Sequence, residues 1–472
     1  MRKKQYFVLT IIVIFMLLSS SCRRERPGED EETEILTHWI WDVMNEVYLW
    51  ADEISSSLFP KNETDPEAYF YKLLHPDDRF SWIVDDIDAL EASFKGIELS
   101  NGISPGWAGI QGSNDVIAIV EFVYENSPAA DSGIRRGDII MEVNGEKMTR
   151  SDYISKFYRE TATYSFGELT ATGLRLNGEQ ITLQAVELEQ NPVQHHEIID
   201  YEGKKIGYLV YTQFTEGKDS IWLNELNAVL QNFKTEPIDA FILDIRYNPG
   251  GSVAMAEHIA SSLVPEVNVN NRDIFTRFIW NDNYNKFFKE SDLDKDGKPD
   301  GENSPWLVIR FFQNNLNLGL SKVHILTSYR SASACELLIS GIEVYTEVVH
   351  VGDTTLGKFY GSDTFGDTEN PPRHKWAMQP IIFKYTNAEF FSDFTEGLFP
   401  DYPIIDYLIN AVPFGDLRDP MLAKALEDIT GVASPVKKIT GPGLEIPYVS
   451  LPDPIKERKG QCIIDLKKPV TY

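Results

Sequence analysis

The stretch Asp-Ala-Phe-Ile-Leu-Asp-Ile-Arg-Tyr-Asn-Pro-Gly-Gly, residues 239–251, decides the fold of this chain. Its first eight residues, 239–246, contain the apolar run Ala-Phe-Ile-Leu at 240–243, which is typical of a buried strand. The strand ends in the glycine turn 248–251, and apolar residues at helical spacing follow in 254–263. A buried strand, a tight turn and a helix in this order indicate a layered α/β core.

The same order of elements recurs on both sides of this stretch. Residues 206–211 form an apolar strand, and residues 219–233 carry apolar side chains at the spacing of an amphipathic helix. A second buried strand, 323–327, runs into a row of small residues and then a helix at 337–342. We therefore expect an α/β domain over residues 195–410.

The segments that flank this domain have different patterns. In residues 34–92, apolar residues recur every four positions, which predicts a helical region packed against another domain. Residues 93–190 contain short β-branched runs separated by turns, which predict a small, mostly β domain. Residues 411–472 are interrupted by prolines, and we expect an extension there with one helix at 420–429.

The first 22 residues have the pattern of an export signal. Basic residues at 2–4 precede an apolar run at 6–18, which is too short to span the ~30 Å hydrocarbon core of a bilayer. Small residues and then Cys22 follow, which resembles a bacterial lipoprotein signal whose cysteine is lipidated and becomes the new N-terminus. The alternative is an ordinary cleaved signal with an incidental cysteine. We expect an exported protein of the periplasm or cell surface, anchored to the membrane by this lipid, with 23–33 as a polar tether.

The composition excludes several classes of protein. The 472 residues include 44 basic and 72 acidic side chains, a net charge of −28, so nucleic acid is not an expected partner. A hydrophobic fraction of 42% excludes a disordered chain. Three cysteines are too few for a disulfide-rich scaffold or a four-thiolate zinc site. The histidines form no HExxH pair, and we expect neither a catalytic metal nor a cofactor.

Within residues 93–190 the sequence resembles a PDZ domain. The resemblance rests on Ser-Pro-Ala at 127–129, Gly-Asp-Ile-Ile at 137–140 and Val-Asn-Gly at 143–145. In PDZ domains, amides around a glycine receive a terminal carboxylate, and the next strand edge pairs with an extended peptide. The partners that the resemblance implies are proteins or peptides with free C-terminal tails. The matching segment consists of Gly96, Ile97, Glu98 and Leu99.

Three separate pieces of the α/β domain can together carry nucleophilic chemistry. Ser333 lies where a strand passes into a helix, a junction that places backbone amides beside a side chain. Lys358 follows a short strand, and burial away from water would favour the neutral amine that can accept the proton of a serine hydroxyl. The turn 248–251 can aim amides at an oxyanion. Each piece alone also has an ordinary structural explanation, as a helix cap, a surface lysine or a turn.

Their combination resembles the C-terminal processing peptidases, also called tail-specific proteases. The landmarks are the PDZ segment, the turn at 248–251, the run Ser-Ala-Ser-Ala-Cys-Glu at 331–336 and the pair Gly-Lys at 357–358. The resemblance implies a ClpP/crotonase-like protease core and a serine endopeptidase that acts through an acyl-enzyme. The segments 379–384 and 399–402 are similar to a branch of this family seen among exported lipoproteins of Bacteroidetes-type bacteria.

The resemblance also assigns individual roles. Ser333 would be the nucleophile and Lys358 its base. The backbone amides of Ala334 and Gly250 would form the oxyanion hole. Ser362 stands where family members often carry a glutamine, so the residue that orients the lysine is not identified. This departure keeps open a catalytically inactive alternative, a PDZ-based scaffold of the cell envelope.

Two further signals have competing explanations. Cys335 is a rival nucleophile, but no histidine stands in an obvious partner position. An acidic segment around Gly297 resembles a calcium loop, but its twelfth position is Asn303 rather than the usual glutamate, and the alternative is a solvated acidic insert. Its carboxylates are Asp292, Asp294, Asp296 and Asp300.

Overall fold

The computed structural model describes residues 29–433, 448–454 and 462–464, except for the single positions 172, 294 and 410. The predicted signal and Cys22 lie outside the described residues. From residue 29 onward, no helix among the described residues is both long enough and apolar enough to cross a bilayer.

The α/β domain is built on a six-stranded sheet. In spatial order its strands are Val193–Tyr201, Lys204–Tyr211, Ala240–Asp244, Lys322–Thr327, Glu347–Gly352 and Tyr402–Pro403. The first pair is antiparallel, and every following pair is parallel. Parallel neighbours require crossover connections, which accounts for the helices between them. The strands predicted at 206–211, 239–246 and 323–327 are confirmed, with small differences at their ends.

Helices cover both faces of this sheet because successive strand residues point to opposite faces. Leu243 packs into a core on one face, and its neighbour Ile242 packs into a separate core on the other. The helices on the first face are Ile221–Thr235, Val253–Leu263 and Ala334–Ile342. The second face is covered by Pro420–Thr430, which Asp419 caps by accepting hydrogen bonds from the amides of its first turn.

The small β domain is a seven-stranded antiparallel sheet. In spatial order its strands are Tyr448–Ser450, Ile103–Ile110, Asp115–Val123, Glu146–Thr149, Ile139–Val143, Thr161–Thr170 and Gly173–Gln184. Two short helices, Pro128–Asp131 and Tyr153–Phe157, accompany it. Its outermost strand, Tyr448–Ser450, comes from the C-terminal extension rather than from residues 93–190.

The N-terminal helical region is confirmed, and it also contributes a strand. The strand Trp82–Val84 pairs with Ala377–Gln379 of the α/β domain. This pairing fixes the region against the segment that follows the predicted base. Its helices are Glu29–Val47, Pro66–Lys72 and Ile87–Phe94, with the 3₁₀ turns Ala51–Glu53 and Ser56–Leu58.

Smaller elements complete the described structure. A five-stranded sheet has the order Val308–Arg310, Ile274–Trp280, Ile381–Thr386, Tyr360–Ser362 and Cys462–Ile463. The strand Phe365–Gly366 joins the sheet of the N-terminal region, and Ile97–Ser100 pairs with Val186–Glu189. The remaining helical segments are Lys218–Ser220, Glu266–Asn270, Asp282–Glu290 and Gly301–Asn303.

Buried ion pairs join the β domain to the α/β domain. Arg136 Nη2 lies 3.3 Å from Asp406 Oδ1, and Arg246 Nη1 lies 3.4 Å from the same oxygen. Arg330, in the loop that leads to the predicted nucleophile, pairs with the buried Glu121 of the β domain. The two domains are therefore fixed to each other beside the predicted active site.

Candidate active site

Three loops meet at the carboxyl edge of the six-stranded sheet. The strands Ala240–Asp244, Lys322–Thr327 and Glu347–Gly352 are parallel neighbours, so the loops that follow them leave the sheet at the same edge. The loops carry, in order, the turn 248–251, Ser333 and Lys358. The fold thus brings together the three pieces that the sequence separates.

Ser333 is held in a strained conformation at the start of a helix. It is the N-cap residue of Ala334–Ile342, with φ 60° and ψ −110°, a region that costs about 1–3 kcal/mol for a residue with a side chain. The side chain is fully buried. Within the described residues, its Oγ has no partner in hydrogen-bond geometry. A buried hydroxyl on a strained strand-to-helix junction is typical of a reactive serine.

The carboxylate of Glu336 connects the two predicted catalytic residues. Its Oε2 accepts hydrogen bonds from the amides of Ser333, at 2.7 Å, and Lys358, at 2.9 Å. Its Oε1 accepts from Thr355 Oγ1 and from the amide of Gly357, each at 2.6 Å. Burial raises the pKa of this carboxyl, and the four donors oppose the increase. Since two amides share one oxygen, the loops of Ser333 and Lys358 are held side by side.

Tyr385 makes a second connection between the same two residues. Its hydroxyl lies 3.0 Å from the carbonyl oxygen of Ser333 and 2.9 Å from that of Lys358. The tyrosine is fully buried on the strand Ile381–Thr386. The amides of the two residues are therefore tied by a carboxylate, and their carbonyls by a hydroxyl.

Lys358 is enclosed by protein. Only 2% of the residue is exposed, and Nζ lies 5.0 Å from the centre of the Phe80 ring. Phe80 belongs to the N-terminal region, which thus covers one side of the site. Exclusion of water around an amine favours its neutral form, which a base must have in order to accept a proton.

The two predicted oxyanion donors lie next to each other. Gly250 has φ +117°, and a Cβ there would lie 2.8 Å from Ser333 Cβ and 3.1 Å from the nitrogen of Ala334, so only glycine permits this approach. The Ala334 amide is in the first turn of its helix, where amides have no acceptor within the helix. The Gly250 amide donates to Asn248 Oδ1 at 2.8 Å. In this state the Ala334 amide has no acceptor within its own helix, whereas the Gly250 amide is already hydrogen-bonded to Asn248.

A glutamine from another part of the chain reaches Ser362, which stands where members of the resembled family often carry a glutamine. Ser362 Oγ donates to Gln379 Oε1 at 2.8 Å, and both residues are fully buried. Gln379 comes from the strand Ala377–Gln379, which the N-terminal region holds in place. The sequence carries the residue, but its spacing from Lys358 gives no signal of the contact.

Cys335 is in an environment that suppresses its reactivity. Its thiol is fully buried and donates to the carbonyl oxygen of Asn248 at 3.1 Å. Burial raises the pKa of this thiol well above its usual range. The nucleophilic thiolate is therefore disfavoured.

The structure places the predicted peptide-binding segment outside the seven-stranded sheet. Gly96 follows the helix Ile87–Phe94, and Ile97–Ser100 pairs with Val186–Glu189. Leu99 is 66% exposed. The strand edge of the β domain that pairs with an extended segment is instead Ile103–Ile110. Residues 96–99 stay a prediction, and this edge is a second candidate.

Within the described residues, carboxylates of the acidic segment accept hydrogen bonds from the backbone of the same segment. Asp292 accepts a hydrogen bond from the amide of Gly297, and Asp300 accepts one from the amide of Leu293. Among the described residues, no group of acidic, histidine and cysteine side chains is arranged to hold a metal ion. Asp294 lies outside the described residues.

Three parts of the chain match known protein families. Residues 205–404 match peptidase family S41, residues 36–82 match the peptidase S41 N-terminal domain, and residues 119–159 match a PDZ domain. The carboxy-terminal processing protease CtpB of Bacillus subtilis is 23% identical over 280 residues, which cover 57% of this chain and 48% of that protein. The carboxyl-terminal-processing protease of Synechocystis is 20% identical over 308 residues, which cover 65% of this chain and 63% of that protein.

A solved structure extends the similarity to the three-dimensional fold. The putative S41 protease from Bacteroides fragilis is 26% identical, with a TM-score of 0.67, and the match covers 83% of this chain and 97% of that one. The chain spans about half of the length of the Bacillus relative. The two models of peptidase family S41 together match more than half of the chain, over residues 36–82 and 205–404, so the chain belongs to that family.

Proposed function

We propose that the chain is a serine endopeptidase with a Ser333–Lys358 dyad. The observation that supports this most directly is the sharing of Glu336 Oε2 by the amides of Ser333 and Lys358. This shared oxygen holds the backbone of a strained, buried serine beside the backbone of a lysine that is 2% exposed. Such an arrangement suits a nucleophile and the base that activates it.

The chemistry proceeds in two steps. Ser333 Oγ attacks the carbonyl carbon of a peptide bond while Lys358 Nζ accepts its proton. The amide of Ala334 stabilises the oxyanion, and the Gly250 amide joins it once it releases Asn248. The protonated amine then gives its proton to the leaving amine, and water hydrolyses the ester formed on Ser333.

The β domain supplies the means to select substrates. An extended peptide that adds to the edge of a PDZ sheet is held through its backbone, so unfolded C-terminal tails are the substrates best suited to it. The edge strand Ile103–Ile110 and the predicted segment 96–99 are the two candidate positions. In this proposal the β domain captures a tail and presents the polypeptide to the α/β domain.

The proposed location is outside the cytoplasm. The export signal at 1–22 and lipidation of Cys22 would leave the folded protein attached to a membrane by its N-terminus. Replacing Cys22 by Ala should abolish incorporation of a labelled fatty acid and move the protein from the membrane fraction to the soluble fraction. Unchanged lipid incorporation would favour an attachment site other than Cys22.

Substitution of the dyad tests the enzymatic proposal. Ser333→Ala and Lys358→Met should each reduce hydrolysis of an unstructured polypeptide by about 10³-fold or more, because each removes a group that acts in the reaction. Ser340→Ala, on the same helix, is a matched control for the loss of a serine. Hydrolysis that survives both dyad substitutions would refute the dyad. A folded wild-type protein that binds tails without cleaving them would instead support the scaffold alternative.

A further inference from the structure

The C-terminal extension crosses the proposed catalytic centre as a β-strand. Cys462–Ile463 pairs in parallel with Tyr360–Ser362, the strand that follows Lys358. On its other side, the amide of Ile463 donates to the carbonyl oxygen of Gly251 at 3.0 Å. The segment therefore lies between the glycine turn and the strand after the base, which is the position that an extended substrate would need.

The side chains of this segment close the site. Cys462 is fully buried, and Ile464 is 3% exposed, because alternate residues of a strand point to the same face. Burial raises the pKa of the Cys462 thiol to about 12, against the opposing effects of the Lys358 charge and the Ser333 hydroxyl. Cys462 pairs with Gly361, three residues after Lys358, and its neighbour Ile463 bonds to Gly251 in the glycine turn. With the segment in place, Ser333 is 0% exposed.

An earlier part of the same extension occupies the β domain. Tyr448–Ser450 pairs antiparallel with Ile103–Ile110 and becomes the outermost strand of the sheet. The Trp107 indole and the Tyr158 hydroxyl donate to Asp453 Oδ2 at 2.9 and 2.8 Å. Addition of an extended segment to a sheet edge is the way in which PDZ domains bind peptides.

We propose that residues 448–454 and 462–464 are an intramolecular competitor of peptide substrates, which holds the sheet edge of the β domain and the catalytic groove at the same time. This proposal rests on the proposed function and adds to it the form of the substrate. A substrate binds as a strand between 251–252 and 361–362. It places a small side chain, of the size of Cys462, towards Ser333 and an aliphatic side chain two residues later.

Covalent attachment makes this competitor effective. A segment joined to its own binding site acts at an effective concentration of the order of millimolar, whatever the protein concentration. A substrate that arrives from solution binds only in the fraction of time when the groove is empty. Backbone hydrogen bonds that hold the strand therefore set the apparent affinity for substrate.

Removal of one such bond tests the effect on catalysis. Ile463→Pro deletes the amide that donates to Gly251, whereas Ile463→Val keeps it. If the groove is empty about a tenth of the time in the native chain, kcat/KM of the proline variant should exceed that of the valine variant by about tenfold. Equal kcat/KM values for the two variants would overturn the proposal.

A binding measurement tests the same idea without catalysis. In the full chain carrying Ser333→Ala, a cysteine-free unstructured polypeptide should displace the strand and expose Cys462 to iodoacetamide. Mass mapping of the alkylated residues should show labelling of Cys462 that rises to saturation with the polypeptide, while Cys335 stays unlabelled. Labelling of Cys462 that does not respond to the polypeptide would refute the competition.

The two measurements separate the two proposals. Displacement of Cys462 in a chain whose variants are all inactive would reject the peptidase and retain the competitor. Hydrolysis that depends on Ser333, with equal rates for the Ile463 variants and constant labelling, would retain the peptidase and reject the competitor.

Discussion

At the scale of single residues, the position of the proposed Ser333–Lys358 dyad depends on Glu336. Its two oxygens accept four hydrogen bonds from two places in the chain, residue 333 and the segment 355–358, and the donors include the amides of Ser333 and Lys358. Glu336→Gln replaces one oxygen by an NH₂ group that would face donors. We expect a loss of about 1–3 kcal/mol in the free energy of unfolding.

The same substitution should affect catalysis more than a general loss of stability explains. Displacement of the dyad by about 1 Å should reduce kcat by about 100-fold. Denaturant unfolding and turnover measured on one preparation check both effects. Thr355→Ser keeps a hydroxyl beside Glu336 and is the control. A Glu336→Gln variant with wild-type kcat would show that the carboxylate does not position the dyad.

Gly250 allows a second prediction at this scale. A methyl group there would collide with Ser333 Cβ at 2.8 Å, in addition to the strain of φ +117°. Gly250→Ala should therefore reduce kcat by about 100-fold or more. Gly203→Ala is a control with the same type of backbone, since Gly203 has φ +79° and open space around its Cβ position. If both variants lose the same activity, the cause is the strain of a positive φ rather than the collision with Ser333.

At the scale of elements, periodicity predicts the regular parts well. The strand Ala240–Asp244 and the helix Ile221–Thr235 follow from apolar spacing because their burial is decided by local pattern. The contact of Gln379 with Ser362 does not follow, since it depends on the pairing of Trp82–Val84 with Ala377–Gln379. Long-range strand pairing leaves no periodic signal in the sequence.

The candidate functional residues divide in the same way between those that the sequence indicates and those that it does not. An ordered set of motifs indicates Ser333 and Lys358. Glu336 belongs to one of these motifs, but the sequence gives no sign that its carboxylate bonds to both amides. Tyr385 acts through its hydroxyl on two carbonyls that are distant in sequence. A single tyrosine in an apolar strand carries no indication of such a contact.

A buried histidine on the strand Glu347–Gly352 should make the free energy of unfolding depend on pH. His350 is 5% exposed, and burial lowers its pKa to about 4, although Asp401 opposes the shift. An unfolded histidine has a pKa of about 6.5, so the folded state holds fewer protons between the two values. The stability that the neutral ring contributes is present above pH ~6.5 and is lost as the pH falls through ~4.

The measurement is the free energy of unfolding between pH 7 and pH 4. His350 should contribute a decrease of at most about 3 kcal/mol over this range. In His350→Asn this part of the decrease should be missing, whereas the decrease caused by other groups remains. Identical pH profiles for the two proteins would contradict the shifted pKa.

At the scale of the whole molecule, Arg136 joins two domains. Its guanidinium donates to the carbonyl oxygen of Glu121 and pairs with Asp406, whose pKa is lowered although burial opposes the shift. Arg136→Met would leave Asp406 buried with less compensation and should cost about 3 kcal/mol in unfolding free energy. Arg135→Met, at the exposed neighbouring position, should cost far less. Equal losses would show that the buried cluster does not stabilise the junction.

The enclosure of Ser333 also determines how the protein meets electrophilic inhibitors. A fluorophosphonate must reach the hydroxyl before it can form a bond, and in our proposal the strand Cys462–Ile463 covers that hydroxyl. The observed inactivation rate will then be the intrinsic rate at the exposed serine multiplied by the fraction of time for which the strand is displaced. A slow reaction with such a reagent would then reflect infrequent departure of the strand rather than low reactivity of the serine.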